Sequence, residues 1–254
     1  DGSDCFERYD PTSTGPNLLP WVELTYYRQF GDIDRLHKVF PALCAYAKWW
    51  RLNRTWPDGT YWSSGWGTGM DNMPRVKPEY NPIFSHGHMV WLDTNLQQML
   101  VDESLLNIGF YIERWQEIED MEDEMKRLRA YVNEHLWDDA TGFLYDRYGD
   151  GSLCTTKGIG AFWALQADAL DKGRMDRMVA HLADTAEFDR PHRVPSLSAD
   201  HPKYNPLGRY WQGGVWPGTN YMTIDGLYRK GYHDLAREIA ANHYAAVFEV
   251  WKNT

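Results

Sequence analysis

Apolar residues return on a helical period in paired segments, and two long stretches between the pairs lose all periodicity. The first pair covers 17–30 and 32–54, with Gly31 as its stop and Asp32 as the cap of the second member. Pro41 falls inside that second helix, where it is expected to kink it or mark its true first turn. Helical spacing resumes at 88–113 and 115–136, then at 157–171 and 173–187, and closes the chain at 215–230 and 232–251. The segment LWDDATGFLYDRYGDGS reads as a turn or short hairpin. No strand–helix alternation occurs, so a parallel α/β sheet is disfavoured. About eight helices in four consecutive pairs predict an all-α fold of helical hairpins over 1–254, read as a single domain.

Residues 54–85 and 188–214 gather Gly, Pro, Ser and Trp. Loops of such length in a compact domain tend to carry function or to be disordered. Trp56, Tyr61, Trp62, Trp66 and Tyr80 argue against disorder in the first. Hairpins arranged in a ring would gather both long loops on one face, and a site is expected there.

Charge narrows the function classes. Thirty-six acidic against 26 basic side chains leave a net charge of -10, the wrong sign for a sequence-independent nucleic-acid binder. No apolar run is long enough to span a membrane. Cys5, Cys44 and Cys154 are too few and too scattered for a disulfide framework or a zinc knuckle, and read as isolated thiols. Thirteen Trp and 16 Tyr in a chain of mean hydropathy -0.62 point the other way, toward rings placed for contact as well as core. Sugars present apolar C–H faces with polar edges, and Trp beside carboxylates and amides matches both. The bland alternative is that these rings fill a helical core.

Two loop motifs carry the chemistry. In SSGWGTGMDNMPR (63–75), Gly65, Gly67 and Gly69 permit close backbone approach to a ligand, and Asp71, Asn72 and Arg75 follow. An Asp in a Trp-walled pocket loses solvation, its pKa rises, and it becomes suited to general-acid work. A loop-capping Asp is the rival reading. Arg75 would either orient a substrate hydroxyl or pair with Asp71. In YNPLGRYWQGGVWPGTNYM (204–222), Trp211 and Trp216 flank Gln212 and the Gly213–Gly214 pair, an aromatic face beside an amide. A buried Trp-rich turn at a helix start is its rival.

These segments resemble the (α/α)6-barrel glycoside hydrolases of family 63 and, more distantly, the trehalases of family 37. SGWGTGMDNMPR is similar to the loop bearing the general acid, which falls on Asp71. YWQGGVWPGTNYM resembles the Tyr-Trp-Arg-Gly…Trp-Pro…Asn-Tyr lining of the sugar subsite, with Gln212 where Arg is usual. WLDTNLQQMLVDESLLNIG resembles the helix between them, with Asp93 at its Asp-Leu-Asn position. LWDDATGFLYDR and the opening TGPNLLPWVELTYYRQFGD, with Asn17 for Gln, add weaker matches.

The resemblance implies inverting hydrolysis of an α-glucoside, α-mannoside or trehalose-like disaccharide, with two carboxylates roughly 6.5–9.5 Å apart. Asp71 would be the acid. Trp66, Gly69, Asn72, Arg75, Trp211, Gln212, Gly213 and Trp216 would contact sugar. The base would lie on a loop after the last helix, past Thr254; Glu249 stands near but on helical spacing, and is not assigned. A full barrel has twelve helices, so the chain is expected to be an incomplete piece of one. Self-association would cover its exposed helices. The expected partner is a small carbohydrate, with no cofactor and no metal. DRYGDGS lacks the Glu a calcium loop needs, and His86 and His88 lack a third ligand. A non-catalytic sugar-binding module, or an assembly protein packing its aromatic loops on a partner, are the alternatives.

Overall fold

The computed structural model describes residues 14–254; Cys5 lies outside them. The helices are α1 (Leu19–Phe30), α2 (Ile33–Asn53), α3 (Gly65–Thr68), α4 (Leu92–Tyr111), α5 (Met121–Tyr131), α6 (Lys172–Ala180), α7 (Pro217–Arg229) and α8 (His233–Asn253). Four two-residue strands, β1 (Met89–Val90), β2 (Trp137–Asp138), β3 (Phe143–Leu144) and β4 (Arg147–Tyr148), form two antiparallel pairs, β1 with β4 and β2 with β3.

The helix boundaries have local causes. Gly31 ends α1 in the left-handed region at φ 71° and bonds back to Tyr27. One residue on, Asp32 caps α2 by accepting the Arg35 N–H. Pro41 sits inside an α2 that continues past it to Asn53. Asp171 caps α6 in the same way through Arg174. Pro217 opens α7 at the position where its missing N–H costs nothing.

The helices form two layers. α1 packs on α4, α4 on a 3-10 segment Ile159–Leu165, and that segment on α7. α2 and α5 lie on α4, and α8 lies on α7, as an outer row. α4 is buried on nearly every face, which explains its run of buried polar residues Asp93, Thr94, Asn95, Gln97, Gln98 and Asp102. Trp21 of α1 meets Trp163 edge-to-face at 5.7 Å and Tyr221 of α7 at 6.4 Å. The inner elements therefore converge on a common centre.

Three expectations are corrected. The segment 157–171 is not an α-helix: only Ile159–Leu165 is helical, in 3-10 form, and every residue of it is buried. α4 begins at Leu92 rather than near 88, because Met89–Val90 pair with Arg147–Tyr148 and the Leu92 N–H is taken by Asp146 of the hairpin at 2.8 Å. The first long loop is not wholly irregular: Ser64 caps a single helical turn, α3, through the Gly67 N–H.

Candidate active site

α3 ends at Gly69 in the left-handed region, φ 72°, and the chain turns directly into Met70, Asp71 and Asn72. Gly65 makes that turn possible. A Cβ there would strike the Pro82 carbonyl oxygen and stand 2.9 Å from the Asp71 carbonyl oxygen. The close approach that this glycine permits is to the chain's own backbone.

Asn72 fastens this turn to the second loop. Its Nδ2 donates to the Arg209 carbonyl at 3.0 Å, and its Oδ1 accepts the Trp211 N–H at 2.9 Å. Gln212 Nε2 donates in turn to the Asn72 carbonyl at 3.1 Å. Asp71 stands half-buried next to this clasp, and the Tyr210 hydroxyl donates to its Oδ2 at 2.9 Å. Gly213 follows at φ 140°, where a Cβ would collide with the Asn205 carbonyl oxygen, and its N–H donates to Ser196 Oγ at 3.2 Å.

Behind the clasp, Trp211 and Trp216 stack at 4.6 Å and 15° between planes. Both indole N–H groups are buried without a hydrogen-bond partner among the described residues. They form one wall of a cavity of about 420 Å3 that Thr68, Met70, Gln97, Trp21 and Trp163 also line. That size and its mostly apolar lining suit a small ligand. Met70, the chain neighbour of Asp71, and Trp211, the chain neighbour of Tyr210, line the cavity; Asp71 and Tyr210 themselves do not. Among the described residues, no Asp or Glu lines the cavity.

Arg75 does not pair with Asp71. Its guanidinium is buried beneath the loop and forked between Asp93 (2.7 and 2.9 Å) and Asp146 (2.6 and 2.8 Å), with the Trp91 ring 4.3 Å away. Burial raises the Asp146 carboxyl, and the Arg75 charge opposes that rise. The two carboxylates in turn hold the guanidinium firmly charged.

A family model, the mannosylglycerate hydrolase MGH1-like glycoside hydrolase domain, matches residues 6–251. The chain belongs to that family. A mannosylglycerate hydrolase of Thermus thermophilus is 30% identical over 113 residues, 44% of this chain and 27% of that protein. An uncharacterised protein of Borreliella burgdorferi is 25% identical over 228 residues, 89% of this chain and 46% of its own length. The chain thus spans about half the length of that relative. Among solved structures, a Thermus thermophilus family 63 mannosylglycerate hydrolase in complex with glucose superposes with a TM-score of 0.80 at 23% identity, over 92% of this chain and 67% of that one. The fold is therefore that of the (α/α)-barrel glycosidases.

In this member of the mannosylglycerate hydrolase MGH1-like family, the residues singled out in the sequence fall into three groups. Asp71, Asn72, Trp211, Gln212 and Gly213 come together at the clasp, and Trp216 stacks behind it. Trp66 and Gly69 build α3; Trp66 stacks on Phe84 at 5.0 Å and does not line the cavity. Arg75 lies underneath. His86 and His88 pack edge-to-face at 4.6 Å within a cluster holding Trp56 and Trp62. Sequence reasoning passed over Tyr210, Trp21, Trp163, Gln97 and Asp146 as site residues. Tyr210, Trp21, Gln97 and Asp146 each stood inside a motif read from the sequence, which was their only signal. Trp163 stood in none, and nothing local marks it.

Proposed function

We propose that the domain is the acid-bearing part of an inverting α-glycosidase acting on small α-mannosides or α-glucosides, with Asp71 as general acid. The single observation that carries this reading is the carboxyl of Asp71, held by Tyr210 on the clasp whose Trp211 lines a cavity large enough for one hexose. Two of the named relatives, both mannosylglycerate hydrolases, favour a mannosyl or glucosyl unit linked to a small hydroxy acid over a longer glycan.

In this reading Trp211 and Trp216 offer their ring system and their unpartnered N–H donors to the sugar, and Gln97 adds an amide. Asn72, Gln212 and Gly213 join the two loops. Trp66 and Gly69 shape the turn that presents Asp71, and Arg75 supports the turn from below. The glycosidic oxygen takes the Asp71 proton as its bond to the anomeric carbon breaks. Water attacks the opposite face, and inversion requires a base there.

Hydrolysis of α-mannosylglycerate, α-glucosylglycerate and aryl α-mannosides, followed by anomer-resolved NMR, tests this directly. Inverting turnover that Asp71→Asn abolishes is expected. Turnover unchanged in Asp71→Asn sinks the assignment.

One observation favours a second reading, a sugar-binding module without turnover: no carboxylate among the described residues lines the cavity. It predicts sugar-dependent Trp fluorescence with no product under any condition.

A further inference from the structure

We infer that Tyr210 is the positioning residue of the Asp71 carboxyl, holding Oδ2 so that Oδ1 carries the proton to the leaving oxygen. This rests on the reading of Asp71 as general acid.

The geometry supports it on three counts. The Tyr210 hydroxyl reaches Asp71 Oδ2 at 2.9 Å, and Oδ1 has no hydrogen-bond partner among the described residues. Tyr210 is held in place at a conformational cost. Arg209 and Tyr210 sit consecutively in the left-handed region, at φ 34° and 65°, which side-chain-bearing residues rarely adopt. Asn72 grips the backbone on both sides of Tyr210, through the Arg209 carbonyl and the Trp211 N–H, and the Gly214 N–H donates to the Tyr210 carbonyl at 3.1 Å. The ring itself leans edge-on against Trp216 at 5.4 Å. Yet the Tyr210 side chain buries little, since the residue is 49% exposed. Packing alone does not account for two strained residues in a row; delivery of the hydroxyl does.

The chemistry follows from charge. A hydroxyl donates more strongly to a carboxylate than to a neutral acid. When Asp71 gives its proton to the glycosidic oxygen, the electron pair of the breaking C–O bond stays on that oxygen, water supplies the new hydroxyl, and carboxylate charge grows on Asp71. The Tyr210 hydrogen bond strengthens as that happens, so it favours the transition state over the ground state. Its own phenol is held up by the hydrogen bond to Asp71 and remains the donor. The other charged groups of the two segments are Arg75, neutralised by Asp93 of α4 and Asp146 of the hairpin, and exposed Arg209.

The test reads the contact and the role separately. Asp71→Asn is expected to lower the Tyr210 phenol titration, read by ultraviolet absorbance without any need for turnover. Kinetics of Tyr210→Phe read the role. With an alkyl leaving group kcat is expected to fall about tenfold with KM unchanged, whereas a dinitrophenyl glycoside, which needs no protonation, is expected to lose little. An unmoved Tyr210 titration, or equal losses with both leaving groups, overturns the inference. If the parent turns over no glycoside, the functional reading fails, while the Tyr210 titration still decides the contact.

Discussion

Asn72 Oδ1 accepts the backbone N–H of Trp211 at 2.9 Å, joining two loops that lie 139 positions apart in the chain. The same side chain holds the Arg209 carbonyl, so one amide spans both sides of Tyr210. An alanine at 72 is expected to free both backbone groups at a cost of about 1 kcal/mol in stability. The sharper effect is local: amide exchange at Trp211 is expected to accelerate while α4 amides stay protected. Exchange followed by NMR or mass spectrometry checks this, and unchanged exchange at Trp211 counts against the clasp.

Arg75 neutralises two buried carboxylates at once. Arg75→Met retains its length but leaves Asp93 and Asp146 facing each other without a counter-charge. Removing one partner of a buried ionic group costs about 3–5 kcal/mol. Denaturant unfolding at neutral pH is expected to register a loss of that size. A loss within experimental error would mean that the triad contributes nothing to the fold.

Gly65→Ala is expected to displace the turn that carries Asp71. The added methyl meets two backbone carbonyl oxygens, of Pro82 and Asp71, and backbone cannot swing aside as a flexible side chain does. Destabilisation of about 1–3 kcal/mol and a weakened Tyr210–Asp71 contact are expected. Gly69→Ala has open space around its Cβ and suffers only the strain of φ 72°, so it serves as the milder control. Thermal unfolding of the two variants ranks them.

Asp102 gives a pH dependence. It is fully buried on α4, accepts Gln98 Nε2 at 2.9 Å on Oδ1, and has no partner on Oδ2 among the described residues. Burial raises its carboxyl well above the usual range, and the nearby Glu124 charge adds to that while Arg51 opposes it. The folded state therefore binds this proton more tightly than the unfolded chain. The resulting stability is fully present below about pH 4, the ordinary carboxylate value, and is lost as pH rises through the raised folded value. Asp102→Asn keeps the acceptor and removes the titration. The variant is expected to be about 1–3 kcal/mol more stable than the parent at pH 8, with a flatter stability profile. Chemical unfolding across pH 4–8 measures both; parallel profiles would remove Asp102 as the cause.

Much of the helical layout was legible because its causes are local. Gly31 and Asp32 sit where one helix must end and the next begin, and the apolar stripe Leu36, Phe40, Leu43 and Ala47 faces the core as its spacing requires. The segment 157–171 misled because burial on every side removes the polar–apolar contrast on which periodicity depends. The start of α4 misled because its first free N–H is satisfied by Asp146, 54 positions away.

By itself the sequence determined three of the four helical pairs, the two aromatic loops between them and the motif that carries Asp71. These rest on short-range rules of spacing, capping and glycine freedom, which act within a few residues. Only the tertiary structure decided that Arg75 turns down to Asp93 and Asp146, that Asn72 clasps Trp211, and that Tyr210 reaches Asp71. Hydrogen bonds and ion pairs are specific at about 3 Å, and which distant groups come that close depends on how whole helices pack.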